Sequence, residues 1–294
     1  MIFLLELVIT GLVVGSVYAL VALGFALIYK ASDVINFAQG ELLLVGAYVT
    51  LVLVVTYQVP FLAALAISLL VSGVLGILIE RLVLRPFIGE PVISVIMATI
   101  GLSSALRGLI QVIWGTDTRT FPLIFPQAPV QLGPVAISQV YLWSLAAALV
   151  LLGLFTLFFK YSTFGVAMRA TADDQQAALS MGISVKFTFA LAWSIAAVVS
   201  TIGGVLLGNI NGVNPSLGTI GLKMLPVAIL GGLDSIPGAI IGGFAIAVLE
   251  NIAGGYLDPL VGGGVKDVAP FVVLVVILML KPYGLFGKEI IERV

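Results

Sequence analysis

The sequence contains no cysteine and no histidine, and only 9% of its 294 residues are charged. Without cysteine there are no disulfides, no thiolate chemistry and no iron–sulfur or thiolate–zinc sites. Without histidine there is no HExxH zinc motif, no serine–histidine dyad and no histidine-lined pore of the ammonium-channel kind. A GxxxxGK[ST] phosphate loop is missing as well, so any ATP-driven role requires a partner that hydrolyses the nucleotide. Soluble domains carry roughly 25% charged residues. At 9%, this chain cannot cover a water-facing surface. A formal net charge of −1 gives no footing for nucleic acid, and nothing calls for a cofactor.

What is present is apolar. Hydrophobic residues make up 61% of the chain and mean hydropathy is +1.25. Several apolar runs exceed the roughly 18 residues that mark a membrane-spanning helix. The expected class is all-α, a polytopic membrane bundle in one domain spanning 1–294. Helices are predicted at about 7–29, 40–56, 61–79, 92–114, 140–159, 187–208, 222–233, 236–253 and 268–283. The segment at 222–233 is short for a crossing and either spans or re-enters, so eight or nine segments are expected. Met1 to Glu6 lacks a basic region and no small-residue cleavage site follows, so the first run reads as a retained helix.

Basic residues set the expected orientation. If all nine segments cross with the N-terminus outside, Lys30, Arg81, Arg85, Lys160, Arg169, Lys186, Lys281, Lys288 and Arg293 fall inside. Arg119, Lys223 and Lys266 remain outside. This predicts a multi-pass membrane protein, N-out and C-in.

The inner segment 160–186 is the most polar of the chain. Thr171-Ala172-Asp173-Asp174 fits a helix start, with Thr171 and Asp174 as the two halves of a capping box. Gly182 provides a stop, giving a predicted helix of about ten residues. Ala177, Ala178 and Met181 are placed on one face, opposite Asp173, Asp174, Gln175 and Gln176. Gln176-Ala177-Ala178, three residues, then Gly182 resembles the EAA-x3-G loop of ABC importer permeases, with Gln in place of Glu and without the following Ile-x-Leu-Pro. The resemblance implies a coupling helix (Thr171, Asp173, Asp174, Gln176, Ala177, Ala178, Gly182) that docks on an ATPase subunit. The plain alternative is a capped interfacial helix.

Two apolar runs are interrupted by polar residues. The first interruption is Asn36-Phe37-Ala38-Gln39-Gly40-Glu41; the second runs from Asn209 to Ser216 and includes Asn211 and Asn214. Irregular backbone at membrane depth requires protein or water to satisfy it, and paired interruptions point to a solute path. Asn36, Gln39, Glu41, Asn211 and Asn214 are therefore candidate path residues. Alternatively both stretches are interfacial loops, with Glu41 capping the second helix. Val34 through Glu41, followed by Gly46-Ala47-Tyr48, is similar to the signature of branched-chain amino acid permeases. Leu225-Pro226, Ala228 to Gly232, Pro237-Gly238-Ala239 and Gly242-Gly243 resemble the C-terminal half of that family. The resemblance implies a bacterial or archaeal plasma-membrane location and a heteromeric assembly: a second homologous permease subunit sharing the membrane lipid, cytoplasmic ATP-binding subunits, and a periplasmic or surface-tethered solute-binding protein.

Gly11-xxx-Gly15 and Gly238-xxx-Gly242 are spacings for close helix packing, expected within the chain rather than between subunits. Arg107, in the middle of a helix, needs a partner or a path to the interface; it either pairs with a carboxylate such as Glu80 or Glu250 or lies near the outer vestibule. The polar outer loop at 115–139, with Pro122, Pro126, Pro129 and Pro134, is the expected contact for a binding protein.

The leading function is the permease subunit of an importer for branched-chain amino acids, with urea or short amides as the alternative solute. A passive channel is a further alternative, because Asn214-Pro215-Ser216 superficially resembles an aquaporin NPA box; Asn36-Phe37-Ala38 lacks the proline of a second box. An intramembrane enzyme is disfavoured by the missing histidine, the missing cysteine and the few acids.

Overall fold

The computed structural model describes residues 2–32, 34–88, 90–122, 129–132, 135–281 and 284–287. Among these the chain forms eleven α-helices. They are α1 (Ile2–Ser32), α2 (Gln39–Val55), α3 (Phe61–Ile79), α4 (Val92–Trp114), α5 (Gln139–Tyr161), α6 (Thr163–Asp173), α7 (Gln175–Ser180), α8 (Val185–Asn211), α9 (Ser216–Gly231), α10 (Ile236–Val261) and α11 (Val265–Leu280). α3 continues through a π-helical turn, Glu80–Leu84, and a 3-10 turn, Arg85–Phe87. Two three-residue strands, β1 (Val130–Leu132) and β2 (Val135–Ile137), pair antiparallel in the loop before α5.

Pro60, Pro91 and Pro215 immediately precede α3, α4 and α9. Proline lacks an N–H and has a fixed φ, which suits a helix start; Pro226, Pro259 and Pro270 nonetheless lie inside α9, α10 and α11, as transmembrane helices tolerate. Among the described residues, six helices are long and apolar enough to cross a membrane, and α2 and α9 are shorter apolar helices. The chain is a multi-pass helical membrane protein.

Burial separates centre from periphery. The most apolar window of α1 is 89% buried, that of α4 only 17%. A helix apolar all round belongs inside protein or lipid; here α1 takes the protein and α4 the rim. α1 packs along α10 and α8, and α2 packs against α8 and α9. The α1–α10 approach depends on small residues. A Cβ at Gly11 would stand 2.7 Å from Val248 Cα, and one at Gly15 2.8 Å from Phe244 Cα. Gly238 and Gly242 likewise face the backbone of α9. These small-residue spacings are internal packing.

Contacts between helix ends sort the bundle into two faces. Lys30 Nζ at the end of α1 donates to Asp234 O in the α9–α10 turn at 3.5 Å. Leu285 N, beyond α11, donates to Leu230 O at the end of α9 at 2.8 Å. Ser32, Arg85 and Gln175 line one cavity on this same face. On the other face, Arg119 after α4 pairs with Val213 before α9. Successive long helices therefore alternate in direction. α9 begins at Ser216, not near 222, because Asn214 and Pro215 start it one turn and a half earlier than its apolar run indicates. The end expected for the last helix, at 282–283, and the basic residues Lys288 and Arg293 lie outside the described residues, as do 123–128 and 133–134 of the loop before α5.

Candidate functional site

The polar interruption after α1 is buried deep in the bundle. Asn36 and Gln39 are wholly inaccessible and Glu41 almost so. Asn36 Oδ1 accepts from Ala38 N at 2.9 Å, and its Nδ2 donates to Gln39 Oε1 at 2.9 Å. Gln39 Nε2 in turn donates to Ser200 Oγ at 2.6 Å, near the middle of α8. Thr99 Oγ1 of α4 accepts from Phe37 N at 3.4 Å. Buried backbone outside a helix must find partners of this sort; here Thr99 of α4 and the side chain of Asn36 meet the backbone, while Ser200 of α8 holds the Gln39 amide. Gly40 lets the start of α2 touch the backbone of α9: a Cβ there would collide with Gly218 O.

Glu41 stands in the first turn of α2, where the helix dipole favours an acid. It does not cap the helix by a side-chain bond. Its partner is Arg107 of α4, which donates to Glu41 Oε1 from Nε at 3.0 Å and from Nη2 at 2.5 Å. The expected partners of Arg107 are engaged elsewhere. Glu80 accepts from Arg85 Nε at 3.1 Å and Nη2 at 2.8 Å. Glu250 accepts from Lys223 Nζ at 2.8 Å, and Lys223 also reaches Asp267 at 2.7 Å, joining α9, α10 and α11. Sequence reasoning missed the Arg107–Glu41 pair. The signal was present in principle, since an acid and a base both at membrane depth lower each other's burial cost. Beside Arg107 a groove of ≈ 530 Å³ opens between α4 and α9, with Phe37, Ile100, Ser104, Gln111 and Leu222 on its walls.

The second interruption is arranged differently. Asn211 is the exposed last residue of α8. Gly212 follows with φ +78° and Val213 pairs with Arg119 through bonds of 2.9 and 2.7 Å. Asn214 Nδ2 donates to Thr118 Oγ1 at 3.1 Å, and its Oδ1 accepts from Ser216 N at 3.0 Å to start α9. Asn211 and Asn214 thus sit at one end of the bundle, away from Asn36, Gln39 and Glu41.

On the opposite face lies the polar 163–182 segment. The single ten-residue helix expected there is two helices, broken at Asp174. Thr171 is not a cap: it is buried within α6 and its hydroxyl donates to Ala167 O at 2.9 Å. Ser162 caps α6, accepting from Gly165 N at 2.9 Å. Asp174, extended at φ −158°, caps α7 and accepts from Gln176 N at 2.8 Å and Ala177 N at 2.9 Å. Two competing caps in one polar run, each strong by itself, make the sequence ambiguous about where the helix starts. Gly182, at φ +80°, follows α7 as the expected stop. Ala177, Ala178 and Met181 do not share a buried face: Ala178 is buried, while Ala177 and Met181 are exposed, as are Asp173 and Gln176.

The pair is fixed to the bundle by α6. Met168 packs with Leu27, Ala31, Phe159, Val185 and Phe189. Arg169 donates to the carbonyls of Phe159 and Lys160 at the end of α5. α7 projects from this base with Leu179 and Met181 open.

Among known proteins, the family described as branched-chain amino acid transport system, permease component, matches residues 7–280. The chain is 33% identical to the high-affinity branched-chain amino acid transport system permease protein BraD of Pseudomonas aeruginosa, covering 99% of this chain and 98% of that one. It is 30% identical to the corresponding protein LivH of Escherichia coli, with 99% and 98% covered. A probable LivH of Methanocaldococcus jannaschii is 29% identical over 95% of this chain and 91% of its own. The solved structure titled PsaBC from Streptococcus pneumoniae in complex with Fab superposes with a TM-score of 0.54 at 16% identity, covering 96% and 93%, which is a likeness of fold.

Proposed function

The chain belongs to the family of branched-chain amino acid transport permeases, and from that membership we propose that it is the membrane-spanning subunit of an ATP-driven importer of branched-chain amino acids. Residues 1–294 act as one transmembrane domain. The subunit pairs with a second, homologous permease. ATP-binding subunits dock from the cytoplasm, and a solute-binding protein delivers the cargo outside. The basic residues Lys30, Arg81, Arg85, Lys160, Arg169 and Lys186 favour the face bearing α6 and α7 as the cytoplasmic one.

The observation that carries this reading is the α6–α7 pair. A helix moves a membrane bundle only if it is anchored to several helices and also offers a surface to its driver. α6 is buried against the ends of α1, α5 and α8, while α7 leaves Leu179 and Met181 uncovered. Thr171, Asp173, Asp174, Gln176, Ala177, Ala178 and Gly182 form the coupling unit in this reading, with Thr171 as an internal strut and Asp174 as the cap. Asn36, Gln39 and Glu41, buried and bonded to their neighbours, brace the wall behind the solute route in this reading. Asn211 and Asn214 stand where that route opens outside.

The test is affinity purification of the tagged chain from its native membrane in mild detergent, with identification of what accompanies it. The expected result is a second permease and ATPase subunits, and ATP-dependent leucine uptake after reconstitution with the binding protein. Recovery of the chain alone, with solute flux in ATP-free liposomes, overturns the reading in favour of a channel. Uptake of urea and not of leucine overturns the solute assignment.

A further inference from the structure

The Arg107–Glu41 pair is lopsided. The Glu41 side chain is 1% exposed, whereas that of Arg107 is 35% exposed. Arg107 spends Nε and Nη2 on a single carboxylate oxygen. Its three remaining N–H donors, two on Nη1 and one on Nη2, have no bond to any described residue. A guanidinium offers five donors in a rigid fork and holds planar anions well. Left open towards hydrocarbon it would be costly, so the groove beside it is a wet or protein-covered space. The groove's ≈ 530 Å³ falls within the roughly 300–1,000 Å³ of small-molecule sites. Its walls are of two kinds: Phe37, Ile100 and Leu222 are apolar, while Ser104 and Gln111 carry hydrogen-bonding groups that accept from N–H.

We propose that Arg107 is the carboxylate-binding residue of the solute route, receiving the α-carboxylate of an aliphatic amino acid on its open Nη1 edge while Glu41 holds the other edge. The aliphatic side chain lies against Phe37, Ile100 and Leu222, and the ammonium group meets Ser104 and Gln111. This inference rests on the importer reading above. It assigns Arg107 more than the neutralisation of a buried acid, and that distinction is measurable.

The experiment is leucine uptake by the reconstituted full assembly at saturating binding protein, comparing wild type with R107Q, R107K and the double variant E41Q/R107Q. Each assembly is first verified by co-purification of its partners. Loss of a charge-assisted hydrogen bond predicts a fall of about tenfold or more in R107Q, with partial retention in R107K. The double variant has no uncompensated acid, so it separates the two roles. Uptake that stays low in E41Q/R107Q supports carboxylate binding. Uptake restored to near wild type shows that Arg107 only neutralises Glu41, and overturns the proposal. Normal uptake by R107Q, with loss of co-purified anionic lipid, also overturns it and makes the cation a lipid-headgroup site. A wild-type assembly that imports no aliphatic amino acid defeats the importer reading itself, and this proposal with it.

Discussion

Gln39 donates to Ser200 across 2.6 Å, and that bond pins the start of one helix to the middle of another. Ser200 belongs to the long helix α8, while Gln39 is the first residue of α2. The bond fixes α2 as a helix that begins inside the bundle, after a buried irregular stretch, and not at the bundle's surface. Gly24 of α1 leaves the room that the Gln39 amide occupies. Replacing Ser200 by alanine strands that amide in a dry site. S200A is expected to lower stability by about 1–3 kcal/mol, read as a lower Tm of the purified assembly. An unchanged melting temperature would remove the bond from the account of how α2 is placed.

Gly40 permits the backbone of α2 to meet that of α9. G40V forces the two apart, since the obstacle is a carbonyl and not a movable side-chain tip. Overpacking of this kind costs about 1–3 kcal/mol. The expected outcome is a lower Tm together with slower uptake, because the displaced helix carries Glu41. Normal uptake with normal stability would mean that the α2–α9 approach has slack.

Asp174 is the cap of α7, so its replacements are expected to follow capping strength. D174A should destabilise the short helix by about 0.5–2 kcal/mol, and D174N, which also caps, by much less. In the importer reading, D174A weakens recovery of ATPase subunits in a pull-down and D174N preserves it. Equal recovery from both variants, and from a D173A/D174A double change, would remove α7 from the coupling contact.

Lys223 binds two acids, Glu250 and Asp267, on neighbouring helices. K223M leaves Glu250 buried without its cation. Breaking a buried pair from one side costs about 3–5 kcal/mol, so K223M is expected to melt well below wild type. Adding E250Q should recover part of the loss. A thermal-shift series with these two variants checks both statements.

The absence of cysteine makes orientation directly measurable. In intact cells, Cys substituted at Asp117 should react with a membrane-impermeant maleimide, and Cys substituted at Met181 should react only after permeabilisation. Both positions are exposed. The reverse pattern would invert the proposed topology.

The helices were legible because hydropathy reads length directly. The runs near 61–79 and 92–114 match α3 and α4, since proline precedes each and no polar residue disputes the boundary. The α6–α7 region was less legible. Ser162, Thr171 and Asp174 are all acceptable caps, and local rules alone do not choose among them. The choice follows from burial of Met168 against α1, α5 and α8 and of Thr171 within α6, which places those residues inside a helix and leaves Asp174 at a break.

By itself the sequence determined a multi-span apolar bundle, a polar interfacial segment and two interrupted runs. Each of these rests on neighbours along the chain, where spacing and composition carry the information. The tertiary structure alone decided that the first interruption is buried and the second lies at an exposed end. It also decided that Arg107 meets Glu41, 66 positions away, and not Glu80 or Glu250. Charges at membrane depth pair with whichever opposite charge the packing brings near. That proximity was set by the approach of α2 to α4 and α9, which no local pattern encodes.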